Sequence, residues 1–172
     1  RPLVNLLRLE GDERITSLLP VGAFDARRFV FMATSDGTVK KTPLDAFSRP
    51  RGNGLIAIDL GADDHLVGTA ITDGSSDVLL FSSGGKAVRF KESAVRAMGR
   101  TAHGVRGMRL PAGQRVVSLI VPDESASQVL TLSANGYGKR TATGDFPLHG
   151  RGGQGVIAML VAEDETQSVL TA

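Results

Sequence analysis

Three stretches of this 172-residue chain, 14–64, 65–114 and 115–165, align with one another at a period of 50–51 residues. Self-similarity at that spacing means stacked supersecondary units, each too small to bury its apolar face alone. Every copy opens on an apolar run: 15–21 (ITSLLPV), 66–72 (LVGTAIT), 116–122 (VVSLIVP). A second run follows at 29–37 (FVFMATSDG), 77–85 (DVLLFSSGG) and 128–136 (QVLTLSANG). Then comes a basic segment, 38–42 (TVKKT), 86–90 (KAVRF) and 137–141 (YGKRT). Each copy closes on a glycine and another short run: 54–60 (GLIAIDL), 104–110 (GVRGMRL), 155–161 (GVIAMLV). Residues 166–172 read as the opening of a fourth copy, and 3–9 (LVNLLRL) as the end of an earlier one.

The local chemistry of the repeat is β. The runs are short and rich in Val, Ile, Leu and Thr. Asp36-Gly37, Gly84-Gly85 and Asn135-Gly136 accept the positive φ that two-residue hairpin turns demand, so each marks a hairpin. Only 91–98 (KESAVRAM) has the makings of a short helix, and its counterparts 43–48 and 142–147 carry Pro or Gly. Four strands per period of about 50 point to propeller-like blades, which close into rings of about 4–8. The alternative is an all-β sandwich. Three repeats are too few for a ring. The chain starts at Arg1 rather than Met and stops inside an apolar run, so it reads as a fragment: about three blades, with 1–13 and 166–172 belonging to neighbouring ones.

The net charge of only +2 gives no case for nucleic acid or membrane. Divided by repeat phase it changes character. The windows after the hairpin turns, 38–52, 86–109 and 139–151, hold 14 of the 20 basic residues and three acids, Asp45, Glu92 and Asp145, a charge of +11 against −9 elsewhere. Lys41, Arg89 and Arg140 each lie four residues after a turn glycine. Equivalent segments take equivalent places in a ring, so a basic phase predicts a basic stripe along one edge. A polyphosphate backbone needs that spacing of charge, with little demand for base readout. The bland alternative is a solvated face with local ion pairs. Aromatics interleave with the basic residues only at Phe90 and Tyr137, which favours duplex over single strands.

Other chemistry is weakly represented. Cysteine is absent, which excludes disulfides, thiolate metal sites and Cys nucleophiles. Residues 150–155 (GRGGQG) match a dinucleotide fingerprint literally, but a strand follows where that motif needs a helix. The loop reads instead as backbone amides and Arg151 near phosphate, or as a plain turn between blades. Gly85-Lys86 and Gly138-Lys139 lack the rest of a P-loop. His65, His103 and His149 share no metal spacing; Asp63-Asp64, Asp123-Glu124 and Glu163-Asp164-Glu165 read as solvated turns; and no Ser/His/Asp arrangement or acid–base pair is present. The expectation is a non-catalytic chain without metal or cofactor. No transmembrane span is visible.

Residues 30–47 (VFMATSDGTVKKTPLDAF), 89–110 (RFKESAVRAMGRTAHGVRGMRL), 134–141 (ANGYGKRT) and 1–21 (RPLVNLLRLEGDERITSLLPV) resemble the C-terminal domain of DNA gyrase A. The related topoisomerase IV domain matches these segments less well. The resemblance implies a β-pinwheel, a ring of usually six four-stranded blades that exchange strands. It implies duplex DNA wrapped on the basic outer edge, biasing strand passage toward negative supercoiling. It places the DNA-cleaving tyrosine in the N-terminal part of gyrase A, and ATP with its magnesium elsewhere in the holoenzyme, on gyrase B. Tyr137 does not match the catalytic motif. The family's wrapping motif is a Gln-Arg-Arg-Gly-Gly-x-Gly box in the first blade. Residues Gly150, Arg151, Gly152, Gly153, Gln154 and Gly155 match its Arg-Gly-Gly-x-Gly part without the leading Gln and first Arg, a degenerate box-like loop.

The expected phosphate contacts are Lys40, Lys41, Arg49, Arg51, Lys86, Arg89, Lys91, Arg96, Arg100, Arg106, Lys139, Arg140 and Arg151. The expected partners are duplex DNA, the N-terminal part of gyrase A, and gyrase B, in the bacterial cytoplasm with the chromosome and without a membrane. The competing expectations are the corresponding domain of topoisomerase IV, and a protein-interaction propeller whose basic edge faces an acidic protein.

Overall fold

The computed structural model describes residues 9, 11, 13–122 and 128–161, and the backbone of 170–171. Its strands in chain order are β1 (Phe29–Thr34), β2 (Thr38–Pro43), β3 (Leu66–Thr72), β4 (Asp77–Ser82), β5 (Lys86–Lys91), β6 (Val105–Arg106), β7 (Val116–Ile120), β8 (Gln128–Leu132), β9 (Gly138–Ala142), β10 (Val156–Ile157) and β11 (Leu170–Thr171). The second apolar run of each window and its basic segment form an antiparallel hairpin, β1–β2, β4–β5 and β8–β9. The turns differ from the two-residue expectation. Gly37 donates to Thr34 O, Gly85 to Ser82 O and Gly136 to Ser133 O, each at 3.0 Å, and only the glycine at the end of each turn has positive φ. That is the three-residue hairpin, a turn running into a left-handed glycine. Asp36, Gly84 and Asn135 stay out of the positive-φ region.

The sheets cut across the sequence windows. The opening run of one window pairs with the hairpin of the window before, β3 on β1 and β7 on β4, and its closing run supplies the opposite edge, β6 on β2 and β10 on β5. The orders are β3-β1-β2-β6, β10-β5-β4-β7 and, for the third sheet, β11-β8-β9. This is strand exchange between blades. The runs 15–21 and 54–60 carry the same pattern but form no strand, because no hairpin among the described residues lies beneath them. The expected end of an earlier copy at 3–9, apart from Leu9, and the acidic clusters Asp123-Glu124 and Glu163-Asp164-Glu165 lie outside the described residues, as does most of 166–172.

Alternation along the central strands packs the sheets face to face. In β4, Val78 and Leu80 join Phe31, Ala33 and Val39 of the first sheet, with Val88 and Phe90 of β5 beside them. Leu79 and Phe81 point the other way, to Val129 and Phe146 of the third repeat. The middle sheet is thus buried on both faces, which is why β4 reads as a continuous apolar run. Phe81 and Phe146 meet edge-on with centroids 5.6 Å apart. β3 packs against β7, and β7 against β11, so those edges converge, leaving β6 and β10 on the outer rim. After each hairpin the chain makes one 3₁₀ turn, at Leu44–Phe47, Glu92–Ala94 and Thr143–Asp145. The expected helix at 91–98 is only this turn, and the counterparts with Pro and Gly form it equally well.

Candidate nucleic-acid interface

Two of the three in-phase cations, Lys41 and Arg89, do something other than form a stripe, while Arg140 is exposed. Lys41 is buried in β2: its Nζ donates to Glu92 O at 3.2 Å, lies 3.8 Å from Glu92 Oε1 and sits 4.9 Å above the Phe29 ring. Arg89, one repeat on, donates from Nη1 to Thr143 O at 2.8 Å and Phe146 O at 3.1 Å, and from Nε to Asp77 Oδ2 at 2.9 Å. Glu92 and Thr143 are the first residues of successive 3₁₀ turns. Lys41 and Arg89 therefore each reach forward and hold the 3₁₀ turn of the next repeat. Burial raises the Glu92 carboxyl above its usual range, against the opposing pull of the Lys41 charge. Burial also pushes Asp77 upward, but hydrogen bonds and charge from Lys91 and Arg89 outweigh it and hold Asp77 below the usual range.

A second group of cations reaches backward. Arg100 Nη1 donates to Ile56 O at 3.3 Å, and its in-phase partner Arg151 donates from Nη1 to Arg106 O at 2.9 Å and from Nε to Ala94 O at 3.0 Å. Lys40 is fully buried and donates to Ala57 O at 2.5 Å and to Arg100 O. Desolvation, with some help from the Arg100 charge, lowers its pKa to about 8. Lys40 and Lys41 are inside the protein and Arg89 is wrapped in backbone carbonyls, which corrects the expected contact set at those three positions. Arg100 is half-buried and Arg151 exposed, and both have donors committed to the closing run of the repeat before.

The remaining expected contacts stand at the surface. Arg49, Arg51, Arg96, Arg106 and Arg140 are exposed, and Lys86 is half-buried. None of these side chains has an ion-pair partner among the described residues. Lys91 is half exposed and paired with Asp77 Oδ1 at 2.6 Å. Lys139 is exposed, its Nζ at 3.5 Å from Ala158 O. Arg109 belongs to the basic window but not to the expected contact set. It is exposed and lines a shallow groove with Asp36, Arg106, Met108 and Leu110. Its sequence signal is its place three residues after Arg106 on the outer closing run. Phe90 is buried, whereas the Tyr137 ring is 75% exposed.

The box-like loop lies on that same run. Gly152 donates to Gly107 O at 2.6 Å, and Arg109 N donates to Gly153 O at 2.8 Å. Gly150, Gly153 and Gln154 are exposed, and a side chain at Gly155 would run into Ala87 O of β5. Asp64, expected as a solvated turn residue, instead caps the first hairpin: it accepts from Ser35 Oγ at 2.7 Å, Asp36 N at 3.0 Å and His65 N at 2.9 Å. His103 Nδ1 lies 2.8 Å from Asp59 O. Among the described residues no group of His, Asp or Glu could hold a metal, and no helix is long and apolar enough to cross a membrane.

The family described as the DNA gyrase C-terminal domain, a beta-propeller, matches residues 28–73, 76–123 and 127–171. DNA gyrase A of Salmonella typhimurium is 56% identical over 163 residues, covering 95% of this chain and 18% of that protein. DNA gyrase A of Escherichia coli K12 is 55% identical over the same length and the same shares of both. The chain thus spans about a fifth of the curated relatives it matches. A crystal structure of the C-terminal domain of DNA topoisomerase IV superposes with TM-score 0.90 at 27% identity, covering all of this chain and 55% of that one. A DNA gyrase A C-terminal domain structure superposes with TM-score 0.78 at 23% identity, covering 99% of this chain and 64% of that one.

Proposed function

Because the chain belongs to the DNA gyrase C-terminal domain family, we propose that it binds duplex DNA without reading its sequence and bends it along the outer rim of its sheets. One observation carries this reading: Arg49, Arg51, Arg96, Arg106, Arg109 and Arg140 are exposed with no acidic partner among the described residues, while the cations beside them are tied into the fold. Free guanidinium groups at the surface suit phosphates, and such contacts position and bend DNA rather than identify bases. Lys86, Lys91 and Lys139 flank the path. The family model that matches is that of the gyrase domain and gyrase A sequences are 55–56% identical, which favours the gyrase over the topoisomerase IV assignment although the topoisomerase IV backbone superposes well.

On this reading the chain supports negative supercoiling by a whole enzyme whose cleaving tyrosine and ATP site lie elsewhere, on the rest of gyrase A and on gyrase B, in the bacterial cytoplasm. The chain itself supplies no catalytic group and holds no cofactor. A gel shift against duplexes from about 20 to about 150 bp, one persistence length, tests it. Wrapping gives affinity that climbs with length. Six free arginines on phosphate give a slope of log K against log salt of about −5, or about a 10³-fold loss between 50 and 200 mM. Binding independent of length and salt would overturn the reading and favour an acidic protein partner.

A further inference from the structure

We propose that Arg151 is a positioning residue for DNA binding: the glycine loop 149–155 is a clasp that holds Arg106 and Arg109 in the phosphate path, not a phosphate loop in its own right. The inference rests on the DNA reading above. Arg151 has two of its donors on backbone carbonyls, Arg106 O at 2.9 Å and Ala94 O at 3.0 Å. Two further bonds join the same segments, Gly152 N to Gly107 O at 2.6 Å and Arg109 N to Gly153 O at 2.8 Å. Arg106 and Arg109 are thus fixed by their own main chains while their side chains stay exposed.

The repeat supplies an internal control. One window earlier two of these four bonds recur, Arg100 Nη1 on Ile56 O at 3.3 Å and Asp59 N on Ala102 O at 3.3 Å. Matched from the closing-run glycines Gly54 and Gly104, the positions of Arg106 and Arg109 are there held by Ile56 and Asp59. The earlier clasp holds nothing that attracts phosphate. The two clasps therefore share a structural role and differ in what they present.

The experiment compares the full chain with Arg151→Lys, Arg100→Lys, Arg106→Gln/Arg109→Gln and the triple variant joining the first and third. Readouts are duplex affinity by fluorescence anisotropy and amide exchange at Arg109. Arg151→Lys keeps the charge and loses the forked contact to two carbonyls. It should weaken duplex binding about 5–30-fold and speed exchange at Arg109. The weakening should vanish in the Arg106→Gln/Arg109→Gln background, since effects carried through a shared group do not add. Arg100→Lys should change affinity less than about 2-fold. Equal weakening by Arg151→Lys in both backgrounds would mean that Arg151 touches phosphate itself, and would overturn the proposal. So would an effect of Arg100→Lys as large as that of Arg151→Lys. Unchanged exchange at Arg109 overturns the clasp whatever the DNA result. A wild-type chain that fails to bind duplex overturns the DNA reading, and the exchange measurement separates that outcome from failure of the clasp.

Discussion

Arg89 and the pair Arg106 and Arg109 should part ways when neutralised, one losing stability and the other losing DNA. Arg89→Gln removes an ion pair to Asp77 and two hydrogen bonds onto the following 3₁₀ turn, at 2.8 and 3.1 Å. Hydrogen bonds involving a charged group contribute about 1.5–3 kcal/mol each, and breaking a fully buried pair costs about 3–5 kcal/mol. The Arg89 side chain is 20% exposed, and Asp77 keeps Lys91 at 2.6 Å, so its charge is not orphaned. The expected loss is therefore about 2–3 kcal/mol, read as a lower urea midpoint at unchanged m. DNA affinity under conditions where the variant is folded should stay within about 2-fold. Arg106→Gln/Arg109→Gln touches no ion pair among the described residues and should move stability by less than about 0.5 kcal/mol per site. Its salt slope should shrink by about 1.8, or 0.9 per phosphate lost. If Arg89→Gln flattens the salt slope while the urea midpoint holds, the division between structural and DNA-facing cations is wrong.

Lys40 should reveal itself at alkaline pH. Its pKa is about 8 in the fold and 10.5 as a free side chain, so between those values the unfolded chain holds a proton that the native one has released. Stability from this group therefore rises with pH across that window, by at most about 1.4 kcal/mol per unit. Urea unfolding at several pH values should show wild type gaining on Lys40→Met from pH 8 to 10; parallel profiles would contradict the assignment. Gly85→Ala and Gly136→Ala should differ although both glycines have positive φ, +73° and +84°. A Cβ at Gly85 would meet Met159 O, while one at Gly136 meets nothing within 4 Å. Backbone strain alone costs about 1–2 kcal/mol at Gly136, and displacement of the 155–161 run should make Gly85→Ala worse by at least as much again. Equal thermal shifts would deny that the hairpin turn is a joint between repeats.

The repeat makes the strands legible, because hairpin signals and alternating apolar runs are local. It does not reveal where each strand pairs. The opening run 66–72 lies in its own window by sequence but on β1 in space, since the edge of the previous hairpin is the ladder it can complete. Turn type is hidden as well. Asp-Gly, Gly-Gly and Asn-Gly fit two-residue and three-residue hairpins alike; Gly107 and Met108 N–H both reach Gly37 O, as Ala158 and Met159 reach Gly85 O, yet Gly136 makes the same three-residue turn with nothing within 4 Å of its Cβ position.

Charge recurrence misleads most where it looks most persuasive. A repeat array must hold each unit to the next by the same contact, so a position that recurs in phase is first of all a joint. Lys41 and Arg89 recur and clamp the next 3₁₀ turn; Arg100 and Arg151 recur and clamp the previous closing run. A DNA path has no such need to repeat within each unit, because phosphates arrive at the spacing of the duplex and not of the blades. Arg106 and Arg109 follow this logic: their in-phase counterparts are Ile56 and Asp59 in one direction, Ile157 and Leu160 in the other. The free guanidinium groups are therefore weighted toward the second repeat, where Arg96, Arg106 and Arg109 stand against Arg49 and Arg51 in the first and Arg140 in the third. Neutralising Arg96, Arg106 and Arg109 together should cut the salt slope by about 2.7, against about 1.8 for Arg49 and Arg51 and about 0.9 for Arg140. Equal losses from all three would restore the even stripe.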